Sequence, residues 1–169
     1  MIKYEKVSKL NVIFANAEYL NGYTNIASFY PENSSNEEKI IIGDIKDLSW
    51  IVDNGELEEL ICMNVLEYIE YNNIGPVIAN WVSKIKVGGK FILGFCDAFE
   101  MARLFNIGSI NIQDYNVLIH GKQNPPYLLK KSSHRADQLV DFIEKQHSYK
   151  LMKHTLDGLD VTLTFERVS

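Results

Sequence analysis

Few residues in this chain have a type and spacing that could do chemistry. The four histidines, His120, His134, His147 and His154, fall at irregular intervals, with no carboxylate-flanked pair at helical spacing. They do not form the ligand pattern of a zinc site, and no metal is expected. Cys62 and Cys96 each sit inside an apolar run, where a free thiol behaves as a small hydrophobe. Their separation matches no zinc or redox spacing, so both read as reduced core residues. Asp44, in "IIGDIKDL", ends an apolar run, and a carboxylate there can cap the turn that follows. Glu67, in "CMNVLEYI", stands where a helix start is expected and is favoured there by the helix dipole.

The chain has 169 residues, of which 46% are hydrophobic, enough for the core of one domain spanning residues 1–169. A net charge of −5 argues against a surface built to neutralise nucleic-acid phosphates. Only "LLKKSSHR", Leu128 to Arg135, is locally basic, and it reads as a solvated loop. No apolar run approaches the roughly 18 to 20 residues that span a bilayer, and "MIKYEKVSK" lacks a signal peptide's apolar stretch, so a soluble cytoplasmic protein is expected.

Short β-rich runs alternate with longer amphipathic ones. "KIIIGDI" (Lys39 to Ile45) and "LEELICMNV" (Leu57 to Val65) read as buried strands, because apolar residues run almost continuously between turn signals. "GPVIANWVSKIK" (Gly75 to Lys86) puts Val77, Ile78, Trp81, Val82 and Ile85 on one helical face, and "VGG" at Val87 to Gly89 stops that helix. The strand "KFILGFC" (Lys90 to Cys96) follows, completing a right-handed crossover of a parallel sheet. Two helices are predicted from Asp97 and Asn111, ended by Gly108 and Gly121. A third opens with Ser132 or Ser133 as N-cap and buries Leu139, Phe142 and Ile143. "YKLMKHTLDGLDVTLTFERV" reads as two strands about the hairpin signal Asp157-Gly158, and "PENSSNEE" (Pro31 to Glu38) as a polar surface insertion.

Five stretches in this order, "KLNVIFAN", "NGYTNIA", "IIGDIKDL", "CMNVLEYI" and "KVGGKFILG", resemble those of small class I S-adenosylmethionine-dependent methyltransferases, of the type 11-like kind. The resemblance covers nearly the whole chain. It implies an α/β fold, a trimmed Rossmann-like methyltransferase domain with a mostly parallel sheet and a C-terminal antiparallel hairpin. It also implies S-adenosylmethionine as cofactor, held by the Asn16 and Ala17 backbone, by Asp44 at the adenine amino group with Ile45 against the ring, and by Asn64 at the lip of the fourth strand. Glu67 and Tyr68 share that lip, from which family members often reach substrate. For Glu67 the helix-start role is placed first.

The sequence departs from the family at the cofactor. Where the family has a glycine loop that lets backbone N–H groups approach the methionine carboxylate, this chain has Ile13, Phe14, Ala15 and Asn16. A phenylalanine there fills the ligand's space unless it points into the core. The second strand should end in an acid that binds both ribose hydroxyls, and it ends in Ala27. "NPPY" (Asn124 to Tyr127) spells the motif of amino-group methyltransferases, but it follows a helix well past the fifth strand and is read as a rigid loop.

Neither connection among the first three strands contains a convincing amphipathic helix, yet parallel strands need both faces covered. Either the helices from Asp97 and Asn111 fold back over the bare face, or a second subunit covers it. The candidates for that contact are Phe99, Met101, Leu104, Phe105, Tyr115, Leu118 and Ile119. Two functions remain: a methyltransferase acting on a small-molecule or protein acceptor, or a non-catalytic relative kept as an interaction or assembly module, as a homodimer or with a heterologous protein partner. On mechanism the missing contacts favour the second, while the analogy of fold keeps methyltransferase as the class to name.

Overall fold

The computed structural model describes residues 6–14, 19–30 and 39–169, and within them seven strands join in one sheet. β1 (Lys9–Ile13), β2 (Thr24–Ala27), β3 (Ile40–Ile42), β4 (Leu57–Met63) and β5 (Ile85–Cys96) are parallel. β6 (Tyr149–Asp157) and β7 (Asp160–Arg167) form an antiparallel hairpin that adds to β5 through β7. The order is β3-β2-β1-β4-β5-β7-β6, the α/β arrangement that the sequence led us to expect. The hairpin turns at Gly158, whose φ of 62° suits a residue without Cβ. Successive strands are laid down outward in opposite senses from β1 and from β4, and the crevice at the carboxyl ends of these two is where such sheets bind ligands.

The core lies on one face of this sheet. Leu10, Val12, Ile26, Leu60, Cys62, Phe91, Leu93, Val161, Leu163 and Phe165 alternate along their strands and meet the apolar sides of α1 (Ile74–Ser83) and α4 (Ala136–Gln146). Trp81 of α1 is fully buried, and its indole Nε1 donates to the Ile45 carbonyl at 2.7 Å, so its polar atom is satisfied inside the core. Helix α1 ends sooner than the sequence predicts. Leu57 N donates to the Lys84 carbonyl and Leu57 lies opposite Ile85, so β4 draws Ile85 and Lys86 into β5, and Val87 to Gly89 lie inside a strand.

The N-cap of α4 also differs from expectation. Neither Ser132 nor Ser133 caps it. Arg135 holds the cap position without a side-chain bond, and Asp97 supplies the acceptor from a distance. The Asp97 Oδ1 accepts from Glu100 N at 3.0 Å to cap α2 (Ala98–Asn106), and its Oδ2 accepts from Ala136 N at 2.7 Å. One buried carboxylate therefore satisfies orphan amides of two helices.

The opposite face carries no helix among the described residues. The helices from Asp97 and Asn111 do not fold back over it. Met101 is the one buried residue of α2, and α3 (Ile112–His120) has none. These helices pack on each other instead, with Phe105 stacked on Tyr115 at 4.4 Å. Over β1 and β2 the face is polar: Asn11 donates to Asn25, which in turn bonds Leu20 N, Leu20 O and Tyr23 O at 2.9–3.0 Å. The loop at residues 20–23 thus covers part of the face by hydrogen bonds. Ile13, Ala27 and Ile40 form a small separate cluster beside it. The "PENSSNEE" insertion lies outside the described residues.

Candidate functional site

Two cavities open side by side at the carboxyl ends of the central strands, and Tyr68 lines both. The turn that carries Tyr68, a 3₁₀ turn at Leu66–Tyr68, directly follows β4. The segment at residues 130–135, read from sequence as a solvated loop, crosses this turn in extended form. Lys131 N and Ser132 N donate to the Glu67 carbonyl at 2.7 and 3.1 Å. Alternate residues point inward as in a strand. Lys130, Ser132 and His134 are shielded, while Lys131, Ser133 and Arg135 face solvent. Burial pushes the His134 imidazole down to about 4, so it is neutral at pH 7, with Ser132 Oγ 2.8 Å from its Nε2.

The first cavity, of about 390 Å³, lies beyond β1 and β3 and is walled by Phe14, Phe29, Ile45, Tyr68 and Tyr127. Phe14, the residue after β1, packs against the main core and also stacks on Tyr68 with centroids 4.1 Å apart. Phe29 meets Phe14 edge-on at 5.0 Å, and Tyr127 tilts against Phe29 at 4.6 Å. The "NPPY" loop thus delivers its tyrosine to the tip of β2, a role that its spacing in sequence gave no sign of. Glu70 at the rim bonds Lys131 at 2.8 Å, which with its other partners pulls its carboxyl down to about 2.

Of the residues expected to hold a cofactor, Asn16 and Ala17 lie outside the described residues. Asp44 is exposed at the tip of β3, its Oδ1 accepts from Lys46 N at 2.8 Å, and its carbonyl takes the Trp50 indole N–H at 2.8 Å. That is the turn geometry of an aspartate capping its own loop. Ile45 lines the first cavity and Asn64 the second, so the two do not share one wall. Ala27 is buried beside Ile13 and Ile40.

The second cavity, of about 260 Å³, lies beyond β4 and β5. Glu67 does not start a helix, because α1 begins only at Ile74. Its side chain turns inward, where Oε1 accepts from Cys96 N at 3.1 Å and lies 3.8 Å from Lys130 Nζ, while Oε2 has no partner. Burial raises the Glu67 carboxyl above its ordinary value, against the pull of Lys130. Cys96 is half-buried rather than core. Its thiol lies 3.2 Å from Asp160 Oδ1, and burial pushes it up to about 12. Asn64, with φ of 54°, completes the polar rim, and Val117, Leu118 and Leu128 form the apolar wall. Among the described residues no group of three potential ligands could hold a metal ion, and no helix is long and apolar enough to cross a membrane.

Neither a family profile nor a curated protein sequence matches the chain. Solved structures do match in three dimensions. An O-methyltransferase family protein from Burkholderia thailandensis superposes with a TM-score of 0.61 at 9% identity, over 96% of this chain and 51% of that one. The 1,6-didemethyltoxoflavin-N1-methyltransferase of the same organism, solved with 1,6-didemethyltoxoflavin and S-adenosylhomocysteine, gives 0.60 at 9%, over 97% and 72%. The methyltransferase of a complex with the Haloferax volcanii Trm112 methyltransferase activator gives 0.59 at 7%, over 100% and 86%. This chain spans about half the length of the first of these. At such identities the likeness is one of fold, and the fold is that of the class I methyltransferases.

Proposed function

We propose that this chain is a non-catalytic protein of methyltransferase fold that serves as an interaction or assembly module. The observation that carries this reading is the aromatic cluster of Phe14, Tyr68, Phe29 and Tyr127 across the carboxyl ends of β1 and β2. A methionine carboxylate held at the end of β1 needs backbone N–H groups and room, and a side chain packed over the strand tip takes the room. Two further features support the reading. The end of β2 offers the methyl of Ala27 in an apolar cluster where a ribose would need a carboxylate, and one Asp44 oxygen is committed to Lys46 N. These residues do not fit S-adenosylmethionine.

The surface offered for association is the sheet face away from α1 and α4. Over β4, β5 and β7 it presents Ile61, Met63, Ile92, Thr162 and Thr164, with Met63 40% exposed. A second copy of this chain is the occupant proposed, since closed twofold pairing is the commonest oligomer. Light scattering that finds only monomer at micromolar concentration overturns this self-association.

The second reading, an S-adenosylmethionine-dependent methyltransferase using Asn16, Ala17, Asp44, Ile45 and Asn64, draws support from the 390 Å³ that remains beside Ile45, a size that suits a small-molecule ligand. Calorimetric titration of S-adenosylmethionine and S-adenosylhomocysteine into the protein separates the two readings. No binding short of millimolar concentration is expected. A low-micromolar Kd for either compound overturns the non-catalytic reading.

A further inference from the structure

We propose that the cavity beyond β4 and β5 is a binding site for a compact primary amine, whose ammonium donates to Glu67 Oε2 and faces Asp160 while its apolar body lies against Val117, Leu118 and Leu128. The inference does not rest on the preceding reading, because it concerns a different cavity.

Buried polar atoms nearly always have a hydrogen-bond partner, and one without a partner calls for a missing donor. The Glu67 side chain is 3% exposed, lines the cavity, and spends its Oε1 on the Cys96 amide. Lys130 stands 3.8 Å away on the side of Oε1, beyond hydrogen-bond reach, and does not serve Oε2.

The rest of the lining selects the donor. Asp160 faces the same space, and its Oδ1 has the Cys96 thiol as partner, a weak donor. The buried Glu67 carboxyl, with Oε1 served by one amide and one long ion pair and Oε2 by nothing, has the exposed Asp160 beside it at the cavity mouth, and a group with several N–H donors and a positive charge satisfies the two together. Lys122 and Lys130 also line the cavity, but Lys122 is exposed, and Lys130 is paired with Glu67 Oε1. The volume of about 260 Å³ falls just under the ~300 Å³ at which pockets for drug-sized ligands begin, so the ligand is small.

The test uses the full chain and n-butylamine as probe, with butan-1-ol as its uncharged counterpart, followed by amide chemical shifts in NMR. Saturable binding of the amine is expected, with shifts at residues 64–68 and 117–121 and an affinity about tenfold or more above that of the alcohol. E67Q keeps the shape of the side chain, removes its charge, and is expected to weaken the amine at least tenfold. V117W fills the cavity from an exposed position, with no cost to the core, and is expected to abolish binding whether or not E67Q folds. Equal binding of amine and alcohol, unchanged binding in V117W, or no saturation at tens of millimolar with only an ordered water at Oε2 overturns the proposal.

Discussion

Phe14 and Tyr68 lie ring on ring, with centroids 4.1 Å apart and planes inclined by 22°, although 54 positions separate them in the chain. The contact joins the tip of β1 to the turn after β4 and closes the space between them. Truncation to Ala should remove this stack, the edge contact with Phe29 and part of the core packing. We expect Phe14→Ala to cost about 2–4 kcal/mol in urea unfolding. Phe14→Gly should open the cavity yet leave S-adenosylmethionine binding undetectable by calorimetry, because the end of β2 still lacks an acceptor.

Supplying that acceptor should harm the protein. Ala27 is 2% exposed against Ile13 and Ile40, so Ala27→Asp buries a carboxylate with no partner. A loss of several kcal/mol at pH 7 is expected. Such a carboxyl has its folded pKa raised, so the folded state binds the extra proton and stability recovers as pH falls. Thermal melts at pH 7 and at acidic pH should show a deficit that narrows in acid. A variant as stable as the parent at pH 7 contradicts the placement of Ala27.

The double cap at Asp97 makes a second stability prediction. Removing one N-cap costs about 1 kcal/mol, and here two caps and a buried acceptor are lost together. Asp97→Ala should cost about 2–4 kcal/mol, whereas Ser133→Ala should change little. Urea midpoints of the two variants decide it.

His134 gives stability a pH dependence. Its folded pKa of about 4 lies below the 6.5 of the free side chain, so between these values the unfolded chain binds a proton that the folded one refuses. Stability should therefore fall as pH drops from 6.5 towards 4, by on the order of 3 kcal/mol at most, and level off below. Glu67, raised by burial, acts with the opposite sign as pH rises past its ordinary value. Comparing His134→Gln with the parent across that range cancels the Glu67 contribution, and the parent's excess pH dependence is the quantity measured.

Gly121 ends α3 with φ of 73°, and a Cβ there would meet the Leu128 carbonyl at 2.2 Å. Both the backbone conformation and the close approach require glycine. Gly121→Ala should destabilise the chain by about 2 kcal/mol or more and loosen residues 121–129, seen as faster amide exchange there. Gly108→Ala, with open space about its Cβ position, should cost less.

The sequence by itself marked the central strands and the closing hairpin, because each is a local matter of apolar period and turn residues, while the arrangement of the sheet came from the resemblance and the start of β5 at Ile85 was hidden in a helical period. "KFILGFC", "LEELICMNV" and Asp157-Gly158 carry that information within a few positions. It also placed Phe14 and Ala27 where the family it resembles has a glycine and an acid, a difference that is read directly from residue type. Tertiary structure alone decided partners. That Asp97 caps a helix 39 residues on, that Tyr127 reaches Phe29, and that Glu67 turns inward to Cys96 instead of starting a helix all follow from the extended crossing of residues 130–135 over the turn after β4. No period or motif encodes such contacts, because they depend on where two distant segments meet, and burial then fixes which polar atoms are paired and which, like Glu67 Oε2, are left for a ligand.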